Sequence, residues 1–211
     1  MALSGNNILQ TVREHLNNNI SFTEEDIEPN KEIYKISDLP LDLLFAEELK
    51  MVNGNCIICN SAKELTTNLN KLFKENLWDS IFCLDNNLQK ILIDSDIPFS
   101  QGKEDFINME AGFTTCEFLI ARLGSIMISS KQTSGRRLNI FPPVHIVMGF
   151  TSQLVKDLDE ALIKIKQKYK DNLPSLISVI TGPSRTADIE KTLILGAHGP
   201  KKLIVLLLKD N

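Results

Sequence analysis

Two apolar segments near the end of the sequence constrain the fold more than any other feature. Lys202 to Leu208 is a nearly continuous apolar run, which is typical of a strand covered on both faces, as strands of parallel sheets are. Leu176 to Thr181 is short, rich in β-branched residues and bounded by Pro174 and Gly182, so it is predicted to be a second buried strand. Together they predict an α/β protein with a mostly parallel sheet.

A dense group of polar and charged side chains separates these two segments. Gly182-Pro183 breaks the strand, and Ser184 or Thr186 is predicted to cap a helix. Free backbone N–H groups, the helix dipole and Arg185 would together suit a phosphate or a carboxylate. Because open α/β sheets bind ligands beyond the carboxyl ends of their strands, an anion site is predicted here.

Three further residues of this segment are candidates for catalysis. Asp188 and Glu190 follow on the first predicted helical turn, where each either takes part in chemistry or merely stabilises the helix start and pairs with Arg185. His198 lies between glycines just before the last strand. A structural hydrogen bond and a catalytic role are equally good interpretations of that histidine.

The first half of the chain alternates helix-like and strand-like patterns. This order predicts a parallel sheet with crossover helices, without the glycine fingerprints of the common nucleotide-binding folds. Residues 95–112 are predicted to be a connecting loop. The predicted elements are a helix over 6–18, a strand at Glu32–Ile36, a helix from Leu39 to Leu49, a strand at Asn55–Cys59, a helix opened by the Ser61–Glu64 capping box, a strand at Ser80–Leu84 and a short helix capped by Asp85.

The middle of the chain predicts a strand pair, a basic loop and another strand. Cys116–Arg122 and Ser125–Ser129 flank a short break, as paired strands do. Val144–Met148 is predicted to be a strand and carries His145, which is either a packed strand residue or part of the site. Glu117, Arg122, Arg137 and His145 are expected to form the other wall of the anion site, with Glu117 as a candidate catalytic acid.

Composition limits the class of protein. A net charge of −4 gives no general attraction to nucleic acid or to an anionic membrane surface. No apolar run approaches the roughly 18 residues that a membrane span needs, so a cytoplasmic protein is expected. The length of 211 residues suits a single domain, with residues 1–30 as an N-terminal helical extension.

Cys56 and Cys59 form a C-x-x-C pattern that either binds metal or contributes two structural thiols. Residues three apart on a strand point to opposite faces, so the two thiols are expected to diverge. Structural thiols are therefore favoured over a zinc or iron–sulfur site, and no metal ligand is assigned.

Gly182 to Glu190, followed by Leu195 to Pro200, resembles the signature of the lactate utilization protein C (LutC/YkgG) family, also called the LUD domain. Ile120–Ser125 and Phe141–Ile146 support the resemblance, which is close from Cys116 to Leu208. It implies a three-layer α/β/α fold similar to the NagB/RpiA/CoA transferase-like superfamily. It also implies an association with oxidation of L-lactate, beside iron–sulfur partner subunits.

The sequence departs from the family pattern at one position. Family members commonly carry Ile-Ala-Glu-Thr-Gly where this chain has Ile120 to Gly124, so Arg122 replaces a carboxylate with a guanidinium. Glu117 is not a simple substitute, because positions an odd number apart on a strand face opposite ways. Any role that needs an acid at position 122 is in doubt.

Three functions are compatible with these residues. The favoured one is an accessory subunit of a lactate-oxidising system that binds partner subunits or a small anionic metabolite, such as lactate or a phosphate-containing or CoA-like compound. The second is a stand-alone enzyme like an acyl-CoA transferase or a sugar-phosphate isomerase, and the third is a non-catalytic structural or regulatory module. Iron–sulfur clusters are expected only in partner subunits, no cofactor is expected on this chain, and a homo-oligomer is compatible with the sequence.

Overall fold

The computed structural model describes residue 10, residues 37–186 and residues 194–210 of the chain. The chain divides into two compact units, Met1–Ser37 and Asp38–Asn211. The extension predicted over residues 1–30 and the strand predicted at Glu32–Ile36 lie outside the described residues, apart from residue 10. Both stay predictions.

The second unit alternates strands and helices from Leu41 onward. The strands are β1 (Asn55–Cys59), β2 (Ile81–Cys83), β3 (Phe99–Ser100), β4 (Ala111–Thr115), β5 (Phe118–Ile120), β6 (Ser125–Ser129), β7 (Val144–Phe150), β8 (Leu154–Val155), β9 (Ile177–Thr181), β10 (Arg185–Thr186), β11 (Ile194–Leu195) and β12 (Lys202–Leu208). The α-helices are α1 (Leu41–Met51), α2 (Ala62–Asn76), α3 (Asn86–Asp94), α4 (Asp105–Asn108) and α5 (Leu158–Tyr169), with 3₁₀ turns at Ala121–Leu123 and Thr151–Gln153.

The largest sheet has six strands in the order β1-β12-β7-β4-β2-β3. Every neighbouring pair in it is parallel. β12 lies inside this sheet, with Leu206 in the core on one face and Leu203 and Val205 in the core on the other. The prediction that this apolar run is covered on both faces is therefore confirmed.

Local capping signals fix where two of the helices begin. Ser61 Oγ accepts a hydrogen bond from Glu64 N at 3.2 Å, and the Glu64 carboxylate reaches back to Asn60 N at 2.9 Å. The predicted capping box is therefore present, except that the Glu64 side chain accepts from the N–H of Asn60, one residue before the N-cap. Asp85 caps α3 as predicted, accepting from Asn87 N at 2.9 Å.

Helices and a second sheet cover the two faces of the parallel sheet. α2 and α3 pack on one face through leucines such as Leu69 and Leu92. On the other face lie α1 and a four-stranded sheet of order β8-β5-β6-β9. α5 covers the outer side of that second sheet through Ala161 and Ile165. The predicted fold class, α/β/α around a mostly parallel sheet, is confirmed.

The strand predicted at Leu176–Thr181 is present as β9, but the prediction that it is buried is wrong. This strand pairs with β6 in antiparallel fashion at the edge of the second sheet, and Val179 is 38% exposed. A short apolar run fits a central strand and an edge strand equally well, because periodicity alone does not separate the two.

The prediction of a loop over residues 95–112 is also wrong in part. This segment contains β3, α4 and the start of β4, which pairs with both β2 and β7. β4 has the weakly apolar sequence AGFTT, which gives little signal for a strand. Gly112 is required there, because a β-carbon would lie 2.9 Å from Pro142 Cγ.

Gly124 offers a test of the contact between the second sheet and α1. It ends the 3₁₀ turn at Ala121–Leu123 with φ of 55°, and a β-carbon there would overlap the backbone of Leu49 in α1. We expect Gly124→Ala to lower the free energy of unfolding by about 2–5 kcal/mol, from backbone strain and overpacking together. Urea denaturation measures the loss.

Gly135→Ala is the matched control for this prediction. Gly135 has a similar φ of 60°, but a β-carbon added there would meet no other atom within 4 Å. We expect it to cost about 1–2 kcal/mol, from the left-handed backbone alone. Equal losses in the two variants would mean that the close approach of Gly124 to α1 has no energetic weight.

Candidate functional site

A cavity of about 210 Å³ brings together several of the residues that the sequence singled out. We call it the His145 cavity. Its walls come from the loop before β7, the end of β9 and the loops that flank β10 and β11. The lining residues are Asn139, Ile140, His145, Ile180, Gly182, Ser184, His198, Gly199, Pro200 and Leu203.

The cavity lies just beyond the carboxyl end of β9, where the sequence placed the site, and at the amino ends of the central strands β7 and β12. His145 and Leu203 are the second residues of β7 and β12, and they are partners in the register of the sheet. β9 belongs to the second sheet, and its carboxyl end lies at the cavity, where Gly182 is a lining residue. The sheet differs from the prediction, because β9 belongs to the second sheet and not to the parallel one.

Backbone hydrogen bonds tie the two signature segments to each other. Ser184 N donates to Pro200 O at 2.8 Å, and Gly196 N donates to Ser184 O at 2.8 Å. Arg185 and Thr186 form β10, which pairs with β11 in antiparallel fashion. β10 follows Ser184 directly, so Ser184 does not cap a helix. Residues 187–193 lie outside the described residues, and a helix capped by Thr186 stays a prediction.

The segment before β7 is joined to the same assembly. The carbonyl of Pro143 accepts hydrogen bonds from Lys201 N at 2.8 Å and Lys202 N at 3.2 Å. These bonds hold the start of β12 beside the start of β7 and so fix His145 near the loop that carries His198. Asp188 and Glu190 lie outside the described residues, and their roles stay predictions.

Gly182 is required by the backbone at the rim of the cavity. Its φ is 73°, and a β-carbon would overlap the carbonyl oxygen of Val52, just after α1. Only glycine adopts this conformation without strain. Its role in the structure is therefore to let the chain turn tightly from β9 into Ser184.

His145 and Asn139 are buried polar residues in the wall of the cavity, with relative exposures of 0% and 1%. His145 Nε2 lies 2.8 Å from Thr114 Oγ1, whereas its Nδ1 has no hydrogen-bond partner among the described residues. Asn139 Nδ2 donates to Gly135 O at 2.9 Å, whereas its Oδ1 has no partner in the same part of the chain. Burial lowers the pKa of His145 to about 3, so the ring is neutral at physiological pH.

Ser184 and His198 form the more exposed part of the cavity wall, and Arg185 is an exposed neighbour that does not line it. Ser184 is half-buried and His198 is exposed, and both line the cavity. Arg185, the next residue after Ser184, is exposed, and among the described residues its guanidinium has no hydrogen-bond or ion-pair partner. No described lining residue of the cavity is an arginine or a lysine.

Glu117 does not line the cavity, contrary to expectation. Its carboxylate is buried and accepts hydrogen bonds from Ser129 Oγ at 2.5 Å, Lys168 Nζ at 2.7 Å and Tyr169 Oη at 2.8 Å. Ser129 pairs with Ile177, at the opposite end of β9 from Gly182. Glu117 therefore joins α5 to the second sheet, which is a structural role.

Arg122 and Arg137 also lie outside the cavity wall, so of the four residues expected there His145 alone is present. Arg122 lies in the 3₁₀ turn after β5, and its backbone N–H donates to Lys156 O at 3.1 Å. The Arg137 guanidinium stacks 4.8 Å from the centroid of the Phe106 ring. Asn139 was missed, because a lone asparagine in a basic loop carries no sequence signal of burial.

The electrostatics around Glu117 favour its charged form. Burial would raise the pKa of the Glu117 carboxyl, but the hydrogen bonds from Lys168, Ser129 and Tyr169 and the Lys168 charge outweigh burial and hold the pKa below its usual range. A carboxyl with a lowered pKa is a poor general acid at neutral pH.

The cysteine arrangement argues against a metal site on β1. Cys59 packs in the core on one face of the parallel sheet, and Cys56 packs against the core on the other face. The predicted divergence of the two thiols is confirmed. Among the described residues, no cluster of three His, Cys, Asp or Glu side chains could hold a metal ion.

No helix in the described part of the chain is long and apolar enough to cross a membrane.

Comparison with solved structures supports the class of fold. A crystal structure of a DUF162 family protein from Deinococcus radiodurans superposes with a TM-score of 0.59 and 17% identity, covering 82% of this chain and 99% of that one. At this identity the likeness concerns the fold alone.

The LUD domain family matches residues 43–208, which span both sheets and the His145 cavity. The chain therefore belongs to the LUD domain family.

Curated relatives include proteins named for lactate utilization. An uncharacterized protein of Neisseria meningitidis is 35% identical over 128 residues, covering 60% of this chain and 54% of its own length. Lactate utilization protein C of Bacillus licheniformis is 36% identical over 102 residues (47% and 42%), and that of Bacillus subtilis is 33% identical over 116 residues (53% and 48%). The chain spans about half the length of these relatives.

Replacing Glu117 tests its structural role. The folded-state pKa of Glu117 is lowered, so its contribution to stability is present above the unfolded value of 4.5 and is lost as the pH falls through the folded value. We expect Glu117→Gln to lower the free energy of unfolding by about 1–3 kcal/mol near neutral pH. The gap between the two proteins should narrow as the pH falls below about 4.5.

Glu75→Gln is the control, because Glu75 pairs with Lys71 at 3.9 Å on the exposed surface of α2. Such a pair contributes little, so a change within about 0.5 kcal/mol is expected. Urea denaturation at several pH values measures both variants. A Glu117→Gln deficit that stays constant down to acid pH would contradict the assigned electrostatic role.

The buried thiols give a further prediction. Burial raises the pKa of Cys56, Cys83 and Cys116 to about 12. We expect these thiols to react slowly with Ellman's reagent at mildly alkaline pH and all four cysteines to react at once in denaturant, because the thiolate is the nucleophile. Iron and zinc assays of the purified chain should find no stoichiometric metal. Bound metal, or fast labelling of Cys56 in the folded protein, would contradict the structural role assigned to these thiols.

Proposed function

We propose that this LUD-domain chain takes part in the utilization of L-lactate and binds a small anionic metabolite at the His145 cavity. One observation supports the proposal most strongly. Both segments of the family signature, Gly182 to Glu190 and Leu195 to Pro200, contribute residues to the wall of one cavity, among them Ser184 and His198. The family's relatives named lactate utilization protein C supply the metabolic context.

The distribution of charge around the cavity supports an anionic ligand. Arg185 is exposed beside Ser184, and the described residues leave its guanidinium available to a ligand. No described lining residue is a carboxylate, so the wall does not repel an anion. A guanidinium offers paired donors that match a carboxylate or a phosphate.

The size of the cavity favours a small ligand. Sites that bury drug-sized ligands occupy about 300–1,000 Å³, whereas this cavity has about 210 Å³. A three-carbon acid or a phosphate fits such a volume. A CoA-like compound could place only a small part of itself inside, so lactate-sized metabolites are the better candidates.

The hypothesis of a stand-alone transferase or isomerase has less support. It needs a carboxylate for proton transfer or acyl attack, and Glu117 is engaged by three donors away from the cavity. Asp188 and Glu190 lie outside the described residues. We therefore favour a binding function, with iron–sulfur clusters carried by partner subunits and not by this chain.

Thermal shift measurements with Arg185→Ala test the proposal. A ligand at about ten times its Kd stabilises a protein by about 1.4 kcal/mol, which for a chain of this length raises Tm by about 3–6 °C. We expect L-lactate or inorganic phosphate to raise Tm of the native chain in this way. In Arg185→Ala most of the rise should disappear, because the cation at the mouth is gone.

Lys90→Ala is the charge-matched control. Lys90 is exposed on α3, which packs on the face of the parallel sheet away from the His145 cavity. It should keep the full ligand-induced rise. An undiminished rise in Arg185→Ala, or no rise in the native chain with any small anion, would refute the proposed function.

A further inference from the structure

The His145 cavity is lined mostly by apolar surface. Four of its lining residues have side chains made only of carbon and hydrogen, and we call them the apolar wall: Ile140, Ile180, Pro200 and Leu203. Among the described lining residues there is no aspartate, glutamate, lysine or arginine. The cavity is therefore unlike a site that holds a charged group inside it.

The buried polar residues of the cavity do not change this character. Asn139 and His145 have relative exposures of 1% and 0%, so neither presents an accessible polar atom to a ligand in this arrangement. Ser184 and His198 supply the accessible polar side chains, in the more exposed part of the lining. A ligand that enters beyond these two residues meets carbon atoms rather than hydrogen-bonding side chains.

An apolar wall favours an apolar occupant. A hydroxyl or a charged group that entered would lose its water without finding new partners, which is costly. An alkyl group gains by the same transfer, by about fourfold in affinity for each methylene that is fully buried. Water that makes few hydrogen bonds in such a cavity is readily displaced by an apolar group.

The size of the cavity limits the length of the alkyl group. An enclosed apolar cavity of about 150 Å³ accommodates benzene. The His145 cavity has about 210 Å³, which is enough for a chain of about six carbon atoms. A longer chain would leave its end in water.

We propose that the His145 cavity receives the alkyl end of a short-chain monocarboxylic acid, whose carboxylate stays outside beside Arg185. The position of the carboxylate rests on the proposed function, whereas the position of the alkyl end rests on the apolar wall. The ligand class includes lactate and homologous 2-hydroxy acids with a longer unbranched tail. It excludes sugar phosphates and dicarboxylic acids, because their far ends carry hydroxyl groups or a second charge.

A series of acids with one head group tests this proposal. L-Lactate, L-2-hydroxybutyrate, L-2-hydroxypentanoate and L-2-hydroxyhexanoate differ only in tail length. L-Glycerate has the size of L-2-hydroxybutyrate but ends in a hydroxyl, and 1-pentanol has the tail of the longest acid without its carboxylate. The full chain, labelled with ¹³C at the δ1 methyl groups of isoleucine, is titrated with each compound. The methyl groups of Ile140 and Ile180 report binding at the apolar wall, and Ile163 on α5 is the reference.

We expect each added methylene to tighten binding about two- to fourfold, the upper value being that of a fully buried methylene. L-Glycerate should bind about tenfold more weakly than L-2-hydroxybutyrate, because a hydroxyl without a partner replaces a methyl group. The acids and 1-pentanol should shift the methyl signals of Ile140 and Ile180 and leave that of Ile163 unchanged.

Ile140→Ser and Ile163→Ser are a matched pair of variants. The two isoleucines have relative exposures of 55% and 56%, but Ile140 lines the cavity and Ile163 does not. We expect Ile140→Ser to weaken binding of L-2-hydroxyhexanoate about three- to tenfold, the effect of losing about one or two methylene contacts, and to weaken binding of L-lactate less. Ile163→Ser should bind every acid as the native chain does.

The other outcomes separate this proposal from the proposed function. If all the acids bind equally, L-glycerate included, the alkyl end does not enter the cavity and the anion site stands. If 1-pentanol shifts Ile140 and Ile180 but no acid binds, or if Arg185→Ala binds the acids unchanged, the anion site is wrong and the apolar wall stands. If longer acids bind more tightly without shifting either methyl signal, or if Ile140→Ser keeps the full gain, the tail binds elsewhere and this proposal is wrong. If no compound binds, both are wrong.

Discussion

Burial of both faces of β7 and β12 is the constraint on which the rest of this structure depends. Parallel strands in the middle of a sheet cannot leave either face in water, so each face needs a layer of its own. Helices α2 and α3 supply one layer, and α1 with the second sheet supplies the other. The second sheet then has an apolar outer face, which requires α5. The layers follow one another because each leaves an apolar surface that the next must cover.

The same constraint explains why a cavity forms at the amino ends of these strands. His145 is a polar residue in a strand that is otherwise apolar, and it lies on the face covered by the second sheet. Close packing there is interrupted where β9 ends and Gly182 turns the chain away. The interruption leaves a cavity lined in part by His145 and Asn139, each of which has one polar atom without a hydrogen-bond partner among the described residues. Such groups persist in a core when a partner other than protein serves them.

Features with strong local signals could be predicted from the sequence, and features set by tertiary context could not. The apolar run of β12, the Ser61 cap and the Asp85 cap each depend on neighbouring residues, and all three were predicted. β9 was assigned to the wrong sheet, because its neighbour β6 lies far away in the sequence. At the site, the sequence pointed to Ser184 and His198 through their motif, but it gave no sign of Asn139, whose burial depends on how its loop packs.

Asn139 and His145 line the cavity whereas Arg185 does not, and this arrangement has a physical basis. A charged group inside the His145 cavity would lose its hydration and find no opposite charge among the described lining residues, so it would be strongly destabilised. Arg185 and His198, by contrast, are exposed and stay hydrated. An anion bound beside Arg185, as proposed, would keep part of its water and so avoid the full cost of burying a charge.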